Sequence, residues 1–290
     1  MGNGQQTVLI TGATDGLGRA AALVLAEKGY RVFAAGRSAD KRAELDRLAA
    51  TKRLPLESLE LDVCDDNSVS RAIYQILQKA GNLDVLINNA GVGLMAVAEE
   101  LRLDDLRRLY ETNIFGLLRV TQAVLPHMRE RKSGRILMLS SVAGILTPPT
   151  YGAYSSSKHA VEALSNALRL ELYPFNVEVI LIEPGYIMTN FQQTAKEQAQ
   201  SYIEGAATSP YAKIYAGALA GATNSRRESK TTPEDCARVI LHAIEASHPK
   251  ARYTVTPLAK WAAFGRRVLP DTLMDSFLRR KFGIVREEED

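Results

Sequence analysis

The sequence predicts an α/β fold built on a doubly wound parallel sheet. Short apolar runs alternate with longer helical patterns along most of the 290 residues, the order that βαβ units produce. A glycine-rich turn joins the first apolar run directly to the first helical stretch, and right-handed crossovers would place helices on both faces of the sheet. At this length, a hydrophobic fraction of 46% is enough to build the core without metal or disulfide.

The first strand is expected at Thr7–Ile10, an unbroken apolar and β-branched run. Further strands follow at Arg31–Ala35, Leu56–Leu61, Val85–Asn88, Arg135–Ser140 and Val177–Glu183, with a seventh candidate at Arg252–Thr256. The helical patterns between them cover Gly18–Lys28, Asp40–Ala50, Asn67–Ala80, Leu103–Met128, Ala153–Leu172 and Pro233–Ala246. Two stretches stand outside this alternation. Residues 191–230, rich in Ala, Tyr and Ser, read as a substrate-lid insertion, and residues 257–290 as a C-terminal extension. No repeat, low-complexity tract or linker divides the chain, so residues 1–290 read as a single domain.

Composition excludes several classes. A net charge of +3 gives no basis for nucleic-acid binding. His127, His159, His242 and His248 lack metal-ligand spacing, so no metal is expected. Cys64 and Cys236 are read as two reduced thiols, with a long-range disulfide as the alternative. The first strand begins at Thr7, which leaves no room for a signal peptide, and no apolar run approaches the roughly 18 residues needed to span a bilayer. The cytoplasm is the expected compartment.

The turn Thr11-Gly-Ala-Thr-Asp-Gly-Leu-Gly18 follows the first strand and opens the first helix. Glycines there permit close approach of the backbone to a pyrophosphate, and the helix N-terminus supplies free N–H groups and a favourable dipole. Gly12, Thr14, Asp15, Gly16, Leu17 and Gly18 are therefore candidates for cofactor binding. The second strand ends in Gly36-Arg37-Ser38. A carboxylate near this point would repel a 2′-phosphate, whereas Arg37 would bind it, with Ser38 and Lys41 in support. The residues point to NADP(H) as the preferred cofactor, NAD(H) being the alternative. The turn itself carries an acid, Asp15, so this reading rests on Arg37.

Tyr154 and Lys158 are four residues apart in a helical stretch and share one face. A free phenol titrates at about 10. An adjacent ammonium, together with a positively charged nicotinamide, is expected to lower that value and make Tyr154 a general acid or base. The pair alone is common. The series Gly12, Gly16, Gly18, then Asn88-Asn89-Ala90-Gly91, Asn113, Ser140-Ser141, Tyr154, Lys158 and Pro184-Gly185 is not.

With these motifs in this order, the chain resembles the classical short-chain dehydrogenase/reductase family, by motif over about residues 5–190. The resemblance implies a Rossmann-type sheet of about seven strands. It implies that Asp62 and Val63 contact adenine, and that Asn88, Asn89, Ala90 and Gly91 stabilise the central strand and line the cofactor cleft. Asn113, Ser141, Tyr154 and Lys158 would form the catalytic set. Asn113 would hold a relay water, Ser141 would orient the substrate oxygen, and Tyr154 and Lys158 would also touch the cofactor. Thr189 would bind the nicotinamide carboxamide, and Pro184 and Gly185 shortly before it would also contact the cofactor. The insertion and tail are similar to those of the 17β-hydroxysteroid and retinol dehydrogenase branch.

The expected activity is hydride transfer between NADP(H) and a carbonyl or secondary alcohol, in a homodimer or homotetramer. The alternative is a catalytically silent dinucleotide-binding regulator. Phe191, Tyr202, Ile203, Tyr211, Ile214 and Tyr215 crowd the insertion and suggest a lipophilic ketone or aldehyde. In the tail, Leu258, Trp261, Val268, Leu269, Leu273, Met274, Phe277, Leu278 and Phe282 recur at near-helical spacing around Pro270. Arg266, Arg267, Arg279, Arg280 and Lys281 lie between them. Such a stripe is expected to dock on protein. Contact with a membrane surface is the alternative, opposed by the acidic end Glu287–Asp290.

Overall fold

The computed structural model describes residues 5–286. The Arg267 side chain and the acidic end Glu287–Asp290 lie outside the described residues, as do the side chains of residues 225–228. Seven strands are formed: β1 (Thr7–Ile10), β2 (Arg31–Gly36), β3 (Leu56–Glu60), β4 (Val85–Asn88), β5 (Gly134–Leu139), β6 (Val177–Glu183) and β7 (Arg252–Thr254). They make one sheet in the order β3-β2-β1-β4-β5-β6-β7, every neighbouring pair parallel. The helices are α1 (Gly16–Glu27), α2 (Ala39–Lys52), α3 (Asp66–Ala80), α4 (Leu103–Tyr110), α5 (Leu117–Arg131), α6 (Gly152–Glu171), α7 (Asn190–Gln198), α8 (Gln200–Gly205), α9 (Ala212–Glu228), α10 (Pro233–Glu245), α11 (Pro257–Val268) and α12 (Asp271–Phe282).

Strand periodicity sorts the core. Val8 and Ile10 of β1 pack on one face with Leu25 of α1 and Ile240 and Ile244 of α10. Leu9, between them, packs on the other face with Ile76 of α3, Val120 and Val124 of α5 and Val161 of α6. Both faces are covered, which is why the strands read as continuous apolar runs. Asp15, Ser38 and Asp65 accept backbone N–H bonds at the starts of α1, α2 and α3. Thr232 and Asp235 form a capping box before α10, with Pro233 in its first turn. Each cap of this kind contributes about 1 kcal/mol and fixes where a crossover begins.

Two sequence expectations are corrected. The helix expected over Leu103–Met128 is divided by a π-helical turn, Glu111–Gly116, between α4 and α5. Asn113 in that turn is drawn inward by two bonds to Val92, while Gly116 lies so close to Val63 that a Cβ there would collide with it. The seventh strand stops at Thr254 rather than Thr256, because the Thr256 hydroxyl caps α11 instead.

The insertion forms α7, α8 and α9. The tail forms α11 and α12, separated at Pro270, and α12 lies against α9. Phe282 is buried there, and a Cβ added at Gly217 or Gly221 would strike it. Gly221 admits the Phe282 ring and Gly217 its backbone carbonyl, and this close fit docks the tail. Phe282→Ala is therefore expected to lower stability by about 3 kcal/mol, as truncation of buried aromatics does. Urea unfolding measures it, and a loss under about 1 kcal/mol would show that the ring does not anchor the tail.

Candidate active site

The strand order reverses between β1 and β4, and a parallel sheet opens a crevice at the carboxyl ends of such strands. Here the crevice is braced by Asn89 and Thr11. The Asn89 amide donates to the carbonyls of Thr11 and Gly12 at 2.9 and 3.0 Å. The backbone N–H groups of Asn89 and Ala90 donate to Thr11 Oγ1, each at 3.0 Å. Gly12 has φ +63°, a conformation other residues rarely adopt. A Cβ at Gly18 would lie 2.5 Å from the Gly12 carbonyl oxygen and 2.4 Å from Asn89 Nδ2. The turn is thus a cradle that side chains would fill, at the N-terminus of α1, and it fits a dinucleotide diphosphate.

Asp15 closes the cradle. It accepts bonds from the Gly16 N–H, Lys41 and Asn190. Burial works against its charge, yet these donors hold its carboxyl below the ordinary carboxylate range. Thr189 caps α7 and packs against Gly16, so the start of the insertion lies on the cradle. At the far rim, the Arg37 side chain is 70% exposed, with Nη1 3.8 Å from Asp62 Oδ2. Lys41 is committed to Asp15, and Ser38 to its helix cap. The Arg37 side chain is the more exposed of the two cations, and its pairing with Asp62 is the longer.

The polar cluster lies at the carboxyl ends of β4 and β5. Ser141 follows β5, and its Oγ accepts from the Ala143 N–H at 3.1 Å. Tyr154 and Lys158 come from the first turns of α6, and the Lys158 ammonium donates to the Leu139 carbonyl at 2.8 Å. It lies 5.8 Å from the Tyr154 ring centroid. Asn113 accepts from the Val92 N–H at 2.8 Å, and its Nδ2 donates to the Val92 carbonyl and Ser157 Oγ at 2.9 and 3.0 Å. Gly91 borders both Asn113 and Lys158; its Cβ would come within 3.3 Å of Asn113 Oδ1 and 3.7 Å of Lys158 Nζ. Asn88 donates to Thr121 Oγ1 on α5 at 2.8 Å.

Electrostatics here depart from the sequence reading. The Tyr154 phenol is not lowered. Burial pushes it up to about 12, against a hydrogen bond from Ser141. Burial pushes the Lys158 ammonium down to about 8, while Glu162 one turn later opposes that. In the protein without cofactor, desolvation outweighs the expected pull of the ammonium on the phenol. Tyr154 accordingly holds its proton across the physiological range, the state a proton donor needs.

One cavity of about 1680 Å³ joins these parts. Gly12, Thr14, Asp15, Gly16, Leu17, Gly18, Arg37, Ser38, Asp62, Val63, Asn89, Ala90, Gly91, Ser141, Tyr154, Lys158, Pro184, Gly185 and Thr189 all line it, whereas Asn113 sits behind Gly91. The insertion contributes Phe191, whose ring lies 5.7 Å from that of Tyr154, and Ile203. Tyr202, Tyr211, Ile214 and Tyr215, expected at the substrate, are not in its lining. The three phenols tie the insertion down instead. Tyr202 donates to Asp105 at 2.5 Å, Tyr215 to Glu100 at 2.8 Å, and Tyr211 to Glu99. Enclosed phenols need polar partners, and the segment from Glu99 to Asp105 supplies them.

Sequence reading missed a charged cluster behind Lys158. Arg252 of β7 pairs with Glu183 of β6 at 2.6 Å and with Glu162 of α6. Its residues are far apart in sequence and carry no motif; only the i+4 spacing of Lys158 and Glu162 hinted at it. Thr256 was missed too, although it packs against Gly185, where a Cβ would lie 2.1 Å from its Oγ1. Cys64 and Cys236 are both free. Among the described residues, no group of His, Cys, Asp and Glu could hold a metal ion, and no helix is long and apolar enough to cross a membrane.

The sequence profile described as short chain dehydrogenase matches residues 6–200, which contain the cradle and the Ser141, Tyr154 and Lys158 cluster. The chain belongs to this family. A 3-ketodihydrosphingosine reductase of Bacteroides thetaiotaomicron is 33% identical over 96% of this chain and 98% of its own length. A short-chain dehydrogenase from Streptomyces avermitilis has a similar structure, with TM-score 0.81 and 30% identity over 98% of this chain and 100% of the other. The closed form of a serine dehydrogenase complexed with NADP+ matches with TM-score 0.75 and 26% identity, over 87% of this chain and 95% of the other. The protein is thus a short-chain dehydrogenase acting as an NAD(P)-dependent oxidoreductase. The silent-regulator alternative finds no support among these relatives.

If the Lys158 charge assists carbonyl reduction, the rate has a defined pH limb. Lys158 is charged below about 8 and loses its proton above, whereas Tyr154 keeps its own to about 12. The kcat/KM for NADPH-driven reduction should therefore fall as pH rises through about 8. A profile flat to about pH 10, where an unperturbed lysine would titrate, would separate Lys158 from the rate.

Proposed function

We propose that the protein is an NADP(H)-dependent reductase of lipophilic ketones or aldehydes. The carrying observation is that the protonated Tyr154 lines, together with Ser141, a large cavity that also has Met95, Leu146, Phe191, Ile203, Leu219 and Leu278 in its lining. The relative named 3-ketodihydrosphingosine reductase supports a ketone substrate. The serine dehydrogenase complexed with NADP+ supports the cofactor.

The bound cofactor would supply the hydride. Gly12, Thr14, Asp15, Gly16, Leu17 and Gly18 would hold its diphosphate, Asp62 and Val63 its adenine, and Arg37 with Ser38 its 2′-phosphate. Asn89, Ala90 and Gly91 would line the path to the nicotinamide, where Tyr154 and Lys158 meet the ribose and Pro184, Gly185 and Thr189 the carboxamide. Ser141 would orient the substrate carbonyl, and Tyr154 would donate its proton to the carbonyl oxygen. The Lys158 ammonium would then stabilise the phenolate left behind. A relay water linking Asn113 to Lys158 would lie beside Gly91, which both residues border.

The chain would act as one domain, with residues 191–230 as substrate lid and 257–290 as an extension. We place it in the cytosol, in keeping with its two free thiols. It would assemble as a homodimer or tetramer through faces that expose Phe115, Leu170 and Tyr173.

Tyr154→Phe removes only the phenolic oxygen. It should lower kcat for a long-chain ketone by about two orders of magnitude or more, with NADPH binding nearly unchanged in a fluorescence titration. Retained turnover would refute the mechanism, and efficient reduction of small polar sugars but not bulky ketones would refute the substrate class. Arg37→Asp should reverse a native preference for NADPH over NADH. Tighter NADH binding by the unaltered protein would show that Arg37 does not read the 2′-phosphate.

A further inference from the structure

The tail helices are apolar on both sides. Inward, Ala262, Leu278 and Phe282 line the catalytic cavity, and Met274 and Phe282 are buried. Outward, Phe264, Val268 and Leu273 stand 66%, 57% and 55% exposed. Trp261 and Phe277 belong to both sides. Their rings pack 5.5 Å apart and line the cavity, yet they are 49% and 40% exposed. Trp261, Phe264 and Val268 recur at i, i+3 and i+7, and Leu273 and Phe277 at i and i+4, so each helix presents a stripe rather than scattered side chains. The cavity mouth is therefore rimmed by aromatics that continue into an exposed apolar face.

Exposed cations interleave with this face: Lys260, Arg266, Arg279, Arg280 and Lys281. Arg266 pairs with Asp271, and Asp275 is the other acid of α11 and α12; the acidic end Glu287–Asp290, which opposes contact with anionic lipid, follows in sequence outside the described residues. We propose that this face docks on the surface of an anionic lipid bilayer, so that the cavity opens onto the headgroup layer. Aromatic groups beside Lys and Arg on a helix that does not span suit the interface between headgroups and acyl chains. A second copy of the chain fits less well. A two-fold contact would bring like cations together, and would cover the mouth through which substrate must pass. The proposal rests on the lipophilic-substrate reading, since only a substrate that partitions into lipid gains from entry at a membrane.

Trp261 is the chain's single tryptophan, so its emission reports on this rim alone. The test mixes the full-length protein with vesicles of phosphatidylcholine, with and without phosphatidylglycerol. Expected are co-sedimentation with the anionic vesicles, a blue shift of Trp261 emission, quenching by brominated lipid, and weakening by high salt. The triple variant Phe264→Ser, Val268→Ser, Leu273→Ser avoids the cavity lining. It should bind anionic vesicles at least about tenfold more weakly, with unchanged turnover of a water-soluble ketone. Arg279→Gln with Arg280→Gln, a gentler change at exposed positions, should weaken binding to anionic vesicles alone. No emission shift with either vesicle would overturn the proposal. So would a triple variant that turns a dimer into a monomer by light scattering while its vesicle binding is unchanged. Vesicle binding needs no turnover. Failure to reduce a bulky ketone in lipid-free solution would count against the substrate reading and leave the docking result to stand by itself.

Discussion

A parallel sheet covered by helices on both faces leaves only its edges and strand ends for chemistry. In this chain the faces are closed by α1 and α10 on one side and by α3, α5 and α6 on the other. Every polar group of the candidate site consequently gathers at one end, where β1, β4, β5 and β6 release the chain. The Asn89–Thr11 bracing follows from the same constraint. Two strands whose crossovers leave in opposite directions open a gap, and side-chain bonds to carbonyls must hold its walls.

Desolvation at that end sets the chemistry. Tyr154 and Lys158 are both buried, so each is pushed toward its neutral form, the phenol up and the ammonium down. Glu162, Glu183 and Arg252 form a charged layer behind them, and the Glu162 carboxylate keeps Lys158 from falling further. Arg252 comes from β7, the edge strand, so the last element of the sheet pairs with a carboxylate on a helix that precedes it by most of a hundred residues.

The insertion and tail are held by different physics. Phenols of the insertion reach carboxylates of the Glu99–Asp105 segment, which holds the insertion by hydrogen bonds, two of them from buried rings. The tail is held by fit, with Phe282 set against the glycines of α9. Small residues on α9 thus admit the ring and leave an apolar chamber beside the cluster. Buried phenol–carboxylate bonds and the apolar fit of the tail together leave a wide cavity beside the cluster unfilled.

The order of strands and helices, the glycine cradle and the Ser141, Tyr154 and Lys158 set were legible in the sequence. Each depends on local spacing: period-two apolar runs, glycines at a strand–helix junction, an i, i+4 pair on one helix face. Spacing could also place Asn113 on a helix, but not show that its turn widens to π, because the bonds to Val92 come from a loop elsewhere in the chain. It singled out the aromatics of the insertion without telling Phe191, which meets Tyr154, from Tyr202 and Tyr215, which act as struts. Spacing showed the charge beside Tyr154 but not the depth of burial, which in the protein without cofactor raises the phenol. Local chemistry was decided by the sequence. Partners contributed by distant segments, and the solvent they exclude, were decided only when the chain closed on itself.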